Sequence, residues 1–401
     1  MANSLSASFP TRWAREMQER LEKMDVFRKQ ANFRLESDLK DGDTVKRVYR
    51  SNIVPADYSR GTDVTFKDIT DTAESLSVDK TPVLPFYVDD LDALQSHYDT
   101  REQYTSDTVK DLNHIIDGWY LAEVANATNT IDAADFGGTA ATAATITPAN
   151  IQKMFALAQK KLARRNVKMG NMFANLTPDV YQTLLEYLAG KESVLGDRTG
   201  ENGSMGSYFG FDLFVSNANY WTGRLNLATQ PTNTDTIVFN GVTITFVSSI
   251  GTTAGNVLIG ANVDATRVNL AALFNAPGTT NSTQVALSND DQVKFYGLTA
   301  TDVPASDWMN ITYRGAGGVV VSETLTDATD GWSTTLCMNQ LMFGEKGAVD
   351  FVIQKQPTVQ IEKAEARLGF KVIPHTLFGK KTFQDGAKKL VNVKVNTFSY
   401  T

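Results

Sequence analysis

The sequence predicts an α+β fold with a small β-rich domain inserted in its second half. Three features of the sequence lead to this prediction. Apolar residues recur at helical spacing in several stretches before residue 190, whereas strand-like apolar runs dominate residues 338–401. Between these regions, residues 224–335 change in composition, because Gly, Asn, Thr and Asp are dense there and lysine nearly disappears.

Length and charge agree with a chain of several units. The 401 residues suffice for two or three compact units with buried cores. The net charge of −7 is uneven: residues 11–50 carry eleven Lys/Arg against eight Asp/Glu, and residues 224–335 carry four against nine. No apolar stretch has the length of a signal peptide or a membrane span. The single Cys337 excludes an internal disulfide framework and suits a reducing compartment.

The N-terminal segment predicts a charged helix over residues 11–35 with one narrow apolar stripe. The stripe consists of Trp13, Met17, Leu21, Met24 and Phe27. Little of the chain precedes the first compact unit, so this stripe has little of its own domain to cover. We therefore expect it to lie on a neighbouring subunit; packing on its own domain is the alternative.

Residues 44–98 predict a long polar ribbon of strand segments. Val64 and Phe66 would share one face of a strand, while Thr65 and Lys67 share the other. A ribbon of two strands is marginally stable alone. We therefore expect this ribbon to lean on another chain.

Three helices are predicted next. The first covers residues 105–127, the second begins with Thr147 as N-cap and Pro148 in its first turn, and the third follows the Thr-Pro step after Leu176. The second helix opposes an apolar stripe to a basic face formed by Lys160, Lys161, Arg164 and Arg165. Such a face is a possible nucleic-acid contact, but a solvated helix surface is the preferred interpretation.

The stretch GSMGSYFGFDLFVSNAN at residues 203–219 holds three closely spaced glycines, Gly203, Gly206 and Gly210. A dinucleotide-binding loop needs G-x-G-x-x-G after a strand and before a helix, and a Walker loop needs Gly-Lys-Ser/Thr. Here the spacing differs and a strand follows the glycines. The sequence therefore predicts a structural turn that leads into a strand.

Residues 224–335 are predicted to form a self-contained β-rich domain with a single helix. The segment TIVFNGVTITFV predicts a hairpin around Asn240-Gly241, and ATRVNLAALFNAPG predicts the helix. After this insertion, apolar runs predict a closing β-meander. Its strands contain Phe351, Val352 and Ile353, then Val359 and Ile361, then Leu368, Phe370 and Val372, and finally Val391, Val393 and Val395.

In this order the elements resemble the major capsid proteins of tailed bacteriophages, which have the Hong Kong 97-type fold. The segment NMFANLTPDVYQTLLEYL is similar to the strand-then-helix entry of that family's axial domain, and GSMGSYFGFDLFVSNAN resembles the turn and strand that follow. The ending QPTVQIEKAEARLGFKVIPHTLFGKKTFQDGAKKLVNVKV resembles the last strands of the family, with Gly379 at its usual aromatic-Gly step. The resemblance covers residues 1–223 and 336–401.

The resemblance implies a division of the chain into capsid subdomains. It consists of an N-terminal arm (1–43), an extended loop (44–98), a peripheral domain with the spine helix (99–130 and 351–401), an axial domain (131–223 and 336–350) and the insertion (224–335). The insertion is outside the minimal fold, and we expect it on the outer surface. No long scaffolding-type region precedes the arm, so a scaffold would be a separate protein.

The function implied is structural. Hexamers and pentamers would build an icosahedral shell around double-stranded DNA, bound without sequence specificity, in the virion of a tailed phage assembled in the host cytoplasm. Besides itself, the expected partners are a scaffolding protein, a portal and a possible decoration protein, and no membrane. Alternatives are an encapsulin-like nanocompartment, a surface adhesive or carbohydrate-binding protein suggested by the Thr/Asn/Gly-rich insertion, and a phage tail component.

No enzymatic activity, cofactor, or catalytic or metal-ligating residue is predicted. The scattered His97, His114 and His375 form no metal motif, and Ser216 lacks the nucleophile elbow of hydrolases. Asp89 and Asp90 are adjacent and would point to opposite sides of a strand.

Some capsid relatives cross-link a loop lysine to an asparagine of a neighbour. Lys67, Lys80, Asn392 and Asn396 lie in the corresponding regions, but no supporting acid is evident and we do not expect cross-linking.

Overall fold

The computed structural model describes residues 25–50, 53–64, 66, 68–89, 100–190, 206–218, 220–315, 319–327, 329–365 and 368–396. The helices within these residues are α1 Phe27–Gln30, α2 Thr100–Leu121, α3 Ile151–Ala163, α4 Pro178–Ala189, α5 Val263–Asn275, α6 Asn289–Phe295 and α7 Gln384–Lys388. None of these described helices combines the length and the apolar character that a membrane span requires.

The strands of the described residues fall into three sheets. In chain order they are β1 Thr44–Arg50, β2 Asp71–Lys80, β3 Phe86–Asp89, β4 Asn129–Ile131, β5 Met172–Leu176, β6 Ser207–Tyr208, β7 Phe211–Val215, β8 Tyr220–Asn226, β9 Thr236–Phe239, β10 Val242–Val247, β11 Asn256–Leu258, β12 Leu298–Val303, β13 Trp308–Tyr313, β14 Val321–Glu323, β15 Gly331–Trp332, β16 Met338–Glu345, β17 Asp350–Lys363, β18 Gly369–Lys381 and β19 Leu390–Asn396.

The largest sheet has ten strands in the order β12-β13-β8-β16-β5-β7-β6, with β15 beside β8, and β19 between β16 and β4. Helices α3 and α4 cover it. The predicted stripe of α3 is completely buried against Phe211 and Phe343 of the sheet, and Thr177 caps α4 as predicted, with Pro178 in its first turn. The central strand β16 is buried along nearly its whole length. This sheet is therefore the core of the chain.

The ribbon sheet has the order β1-β2-β18-β17, with β3 paired to β18. Helix α2 packs on its inner end, where Ile116 and Tyr120 contact Phe351 and Phe378 in one buried cluster. Strands β17 and β18 then run outward as a long hairpin. The two halves of this sheet therefore have different environments.

The insertion adds a four-stranded sheet, β11-β10-β9-β14, packed with α5 around a core that includes Phe239, Phe246 and Phe274. The Asn240-Gly241 hairpin is confirmed, and both residues adopt the positive φ angles that this turn requires. Two predictions for this region were wrong. It contains two helices, α5 and α6, within the described residues. It is also not self-contained, because β8 pairs with β13 on one side and with β16 of the core on the other.

Several predicted boundaries were also wrong. Residues 31–33 leave the helix predicted over 11–35, of which residues 1–24 lie outside the described residues. Helix α2 begins at Thr100 and ends at Leu121, before a 3₁₀ turn over Ala122–Asn126. Helix α3 begins at Ile151 rather than at Pro148, because the Asn150 side chain accepts a hydrogen bond from the Thr147 amide and closes a turn there.

Two strand predictions failed as well. Val64 and Phe66 lie outside any strand, and Thr65 and Lys67 are not among the described residues. The closing segments do not form one meander: β17 and β18 belong to the ribbon sheet, whereas β19 joins the core sheet beside β16. The runs around Phe351 and Val359 are a single bulged strand, and Leu368 lies outside β18.

Candidate assembly surfaces

The tip loop, defined as residues 53–70 between β1 and β2, exposes an unusual amount of apolar surface. Its large apolar side chains are Ile53, Val54, Tyr58, Val64, Phe66 and Ile69, each at least 59% exposed. Phe66 reaches 91%. An apolar patch of this kind on a folded chain marks a surface that is covered in an assembly. The tip loop is therefore the first candidate for contact with another chain.

The strands that carry the tip loop are themselves poorly covered. Most residues of β1 are exposed, and β2 alternates between exposed and buried positions only near its inner end. Beyond Gln354 every residue of β17 is at least partly exposed. The outer ribbon thus lacks a hydrophobic layer of its own, which agrees with the expectation that it leans on another chain.

The inner end of the ribbon is fixed by a polar junction. The Glu123 carboxylate accepts hydrogen bonds from the Lys380 ammonium and from the Thr382 amide (3.1 Å) and hydroxyl (2.7 Å). Burial would raise the pKa of Glu123, but Lys380 and these hydrogen bonds outweigh it and hold the pKa below its usual value. Because the group is buried and charged, it holds the 3₁₀ turn that follows α2 to the end of β18 with defined geometry.

Three cations surround the indole of Trp119 at the same junction. The Arg314 guanidinium carbon lies 3.8 Å from the ring centroid, Lys80 Nζ 4.9 Å and Lys380 Nζ 5.1 Å. These side chains come from the insertion side of the core sheet, from β2 and from β18. Trp119 therefore joins the spine-like helix α2, the ribbon and the insertion through cation–π contacts.

The described part of the arm is anchored on its own chain. Asp117 Oδ1 accepts hydrogen bonds from the backbone N–H groups of Val26 (3.0 Å) and Phe27 (2.9 Å), and burial raises the pKa of this carboxyl group to about 7. The amides of Gln30 and Asn175 exchange two buried hydrogen bonds. For residues 25–30, the expectation of packing on a neighbour is therefore wrong; residues 1–24 lie outside the described residues.

A cleft of about 1210 Å³ separates α2 from the insertion. Its walls include Asp111 and Ile115 of α2, and Phe274, Tyr313 and Arg314 from the other side. His114, for which the sequence predicts no metal-binding role, lies in the same wall. Among the described residues, no cluster of three or more His, Cys, Asp or Glu could hold a metal ion.

The residues considered for cross-linking have different surroundings in the structure. Lys80 forms an ion pair with Asp79 (2.6 Å) and contacts Trp119. The Asn392 amide is buried and donates to Gln340 Oε1 (2.6 Å), and the backbone of Asn396 donates to Ala144 at the end of β19. Lys67 lies outside the described residues. That cross-linking does not occur stays a prediction.

The remaining sequence candidates have local roles. The Ser216 hydroxyl accepts a hydrogen bond from the Ala218 amide, and His375 contacts the Ile373 carbonyl within β18. Asp89 ends β3, while Asp90 and His97 lie outside the described residues.

The remaining basic and glycine candidates divide between described and undescribed residues. Lys161 of the basic face of α3 pairs with Asp135, whereas Lys160, Arg164 and Arg165 are exposed. The turn prediction is confirmed at Gly210, which lies in the tight hairpin between β6 and β7; Gly206 lies in a bend just before β6, and Gly203 lies outside the described residues.

Sequence reasoning missed the groups that organise the surface. Glu123 and Lys380 are separated by 257 residues, and Asp117 meets the arm across about 90 residues. No local spacing signals such pairs. Val64 and Phe66 of the tip loop did stand out in the sequence. Their spacing, however, suggested one face of a strand instead of an exposed loop.

Solved phage structures share this architecture. A chain titled Mycobacterium phage Che8 matches 96% of this chain over 96% of its own length, with TM-score 0.59 and 14% identity. The capsid structure of cyanophage P-SCSP1u matches 99% of this chain over 96% of its own, with TM-score 0.51 and 12% identity. The mature capsid of bacteriophage PhiM1 matches 98% over 93%, with TM-score 0.50 and 11% identity.

No protein-family model matches the chain, and no curated protein matches it by sequence. The structural likeness shows the fold. The chain has the mixed α+β fold of phage capsid chains, and the predicted fold class is confirmed.

Proposed function

We propose that this chain is the major structural protein of a tailed-phage capsid. Nearly its whole length follows the fold of phage capsid chains, and this observation carries the proposal. Hexamers and pentamers of the chain would tile an icosahedral shell that encloses double-stranded DNA. The role is structural and not enzymatic.

The uncovered ribbon supports this function physically. A chain that exposes a long ribbon and an apolar tip loop gains stability when a second copy covers them. If the two surfaces that meet in a contact are different patches of the chain, each copy contacts the next head to tail. Such a series of copies forms a ring when the rotation from one copy to the next adds up to a full turn. Each contact can be weak, because a shell repeats it many times. A contact of 1.4 kcal/mol changes the affinity only about tenfold.

We assign subdomains within this proposal, with one change from the sequence-based division. The arm covers 1–43, the extended loop 44–98, the axial domain 131–223 with 336–350, and the insertion 224–335. The peripheral domain covers residues 99–130 and residues from 351 onward, except that β19 and β4 belong with the axial sheet, since β19 pairs with β16 and β4 pairs with β19.

The net charge of −7 is compatible with a container for DNA. A strongly basic wall would hold the genome through phosphate contacts and hinder packaging and release. We place the acidic insertion on the outer face and assign assembly to the host cytoplasm, with a separate scaffolding protein, a portal and a possible decoration protein as partners. No membrane partner is proposed.

Negative-stain microscopy with sedimentation of the purified protein, alone and with a scaffold-like partner, tests the proposal. We expect hexameric rings or closed angular shells. DNA in particles purified from infected cells would support the virion function, whereas enzyme cargo would identify an encapsulin-like compartment. A monomer under every condition would contradict the capsid function.

A further inference from the structure

Helix α3 and the turn that follows it concentrate positive charge. Residues 151–170 contain six Lys/Arg and no Asp or Glu, although the net charge of the whole chain is −7. The sequence alone favours a solvated helix face as the explanation, but the structure adds three observations that favour a ligand. Five of the six cations are exposed: Lys153, Lys160, Arg164, Arg165 and Lys168.

Three of these cations form a line along the helix, which we call the basic line: Lys153, Lys160 and Arg164. At about 100° and 1.5 Å per residue, Lys160 and Arg164 lie within about 20° of Lys153 around the axis, and about 10.5 and 16.5 Å along it. Arg164 keeps helical φ and ψ angles (−61° and −22°), so the line extends past the last helical residue. The opposite face of the helix is fixed, because Met154 and Phe155 are completely buried. The basic line is therefore held straight by the core.

The chain does not neutralise the basic line. Lys161, on its flank, forms an ion pair with Asp135 (2.6 Å), but no member of the line takes part in an ion pair within the described residues. Helix polarity explains only part of the pattern. A cation in the last turn of a helix is favourable, as for Lys160, whereas a cation in the first turn, such as Lys153, is unfavourable. The stability of the helix therefore does not account for the line.

The surface around the basic line lacks the apolar anchors of a protein interface. Between Lys153 and Lys160 it presents Ala156 and Leu157, and Leu157 is partly buried against the core. Protein partners depend on large apolar or aromatic anchors, whereas a nucleic-acid backbone is bound through charge alone. Over the 16.5 Å of the line, a DNA duplex carries about ten negative charges. The surface thus fits a phosphate backbone better than an acidic protein segment.

We propose that the basic line of α3 contacts the phosphate backbone of double-stranded DNA without reading its sequence. The choice of DNA rests on the proposed capsid function and deepens it, because it assigns α3 to the inner face of the shell. Three phosphate contacts on each subunit form a weak site that lets DNA slide, unlike a continuous basic wall. The remainder of the acidic chain would repel DNA, so the genome would touch the shell at these lines.

A salt titration tests this contact on the purified, unassembled, full-length chain. The probe is a fluorescent duplex of about 30 base pairs and mixed sequence, and anisotropy reports binding between about 50 and 200 mM NaCl. Three phosphate contacts predict a slope of about −2.7 for the logarithm of the binding constant against that of salt concentration. The affinity should therefore fall about fortyfold across this range. A duplex of unrelated sequence should bind equally well.

The test variant Lys153→Gln/Lys160→Gln/Arg164→Gln removes the basic line. All three positions are exposed, so the subunit should fold, and denaturant unfolding verifies this. We expect the variant to bind the duplex at least about tenfold more weakly than the wild type at low salt, and to lose most of the salt dependence.

The matched control is Lys46→Gln/Lys363→Gln/Lys371→Gln. It removes three exposed cations of the ribbon, none of which belongs to an ion pair among the described residues. Both triple variants change the net charge from −7 to −10, so they differ only in where the charge is lost. The control should keep the affinity and the salt slope of the wild type.

The outcomes separate the contact from the function on which it rests. A wild type that does not bind the duplex, or equal losses in the two triple variants, would overturn the contact. Tighter binding of polyglutamate than of the duplex would also overturn it and would make an acidic protein segment the partner. Shells formed by a chain without this DNA binding would leave the capsid proposal standing. DNA binding through α3 by a chain that never assembles would support the contact and contradict the capsid proposal.

Discussion

The core sheet and the ribbon sheet of this chain are covered in different ways. Strand β16 of the core sheet is buried at seven of eight positions, whereas β17 of the ribbon is buried only in its first four residues and exposed to varying degrees afterwards. The core sheet finds its hydrophobic partners, α3 and α4, within the chain. The outer ribbon does not. Under the proposed capsid function, this difference would separate the part that folds the subunit from the part that joins subunits.

The largest effect is expected where the core is densest. Phe343→Ala should lower the free energy of unfolding of the unassembled subunit by about 3–5 kcal/mol, since the buried ring packs 5.4 Å from Phe155 and 5.6 Å from Phe211. Phe66→Ala, the same change on the ribbon, should alter it by less than about 0.5 kcal/mol. Denaturant unfolding measures both, and equal losses would remove the distinction between the two sheets.

A pH-dependent effect is expected at the arm anchor. Asp117 is buried beside Asp25, Ser216 and Tyr120, and its pKa rises from 3.8 to about 7. Between these pH values the folded state keeps a proton that the unfolded chain releases, so stability falls as pH rises and is constant above about 7. Asp117→Asn removes this slope.

The stability of Asp117→Asn relative to the wild type should therefore increase by up to about 4 kcal/mol between pH 4 and pH 7. Unfolding at a series of pH values measures this difference. Parallel pH profiles for the two proteins would show that Asp117 does not titrate in this range.

The junction that bounds the ribbon should respond next. Glu123→Gln leaves the buried Lys380 ammonium without its counter-charge and should cost about 3 kcal/mol. Hydrogen exchange should show the loss first at the end of β18 and at Thr382 just after it, because Thr382 also loses a charged acceptor. An Asp79→Asn control, which affects the exposed pair with Lys80, should be nearly neutral. If both changes have equal effects, the junction does not fix the ribbon.

A smaller loss of stability is expected at the glycine turn. Gly210 has a φ of +76°, so Gly210→Ala should cost about 1–2 kcal/mol through backbone strain. Gly206→Ala is the matched control, because a Cβ there would meet no atom within 4 Å and its φ is not in the left-handed range. A neutral Gly210→Ala would show that this hairpin tolerates another turn.

Local chemistry was readable from the sequence, and long-range placement was not. Thr177-Pro178 and Asn240-Gly241 specify their cap and turn by residue type alone, and the stripe of α3 specifies its buried face. Helix α3 begins at Ile151 and not after Thr147, because the Asn150 side chain accepts a hydrogen bond from the Thr147 amide and forms a turn there.

Sheet membership depends on partners far along the chain. Strand β19 has the same valine alternation as a ribbon strand would, yet it pairs with β16 and β4 in the core sheet. The candidate site has the same property. The walls of the cleft come from α2 and from the insertion, which are more than a hundred residues apart. No local spacing in the sequence could therefore predict it.

Sedimentation velocity of wild-type and Phe66→Ala subunits under assembly conditions tests the central claim most directly, with denaturant unfolding of each run in parallel. We expect the variant to unfold like the wild type but to remain as small species where the wild type forms capsomers or shells. A variant that assembles as fully as the wild type would contradict the claim that the uncovered ribbon joins the subunits.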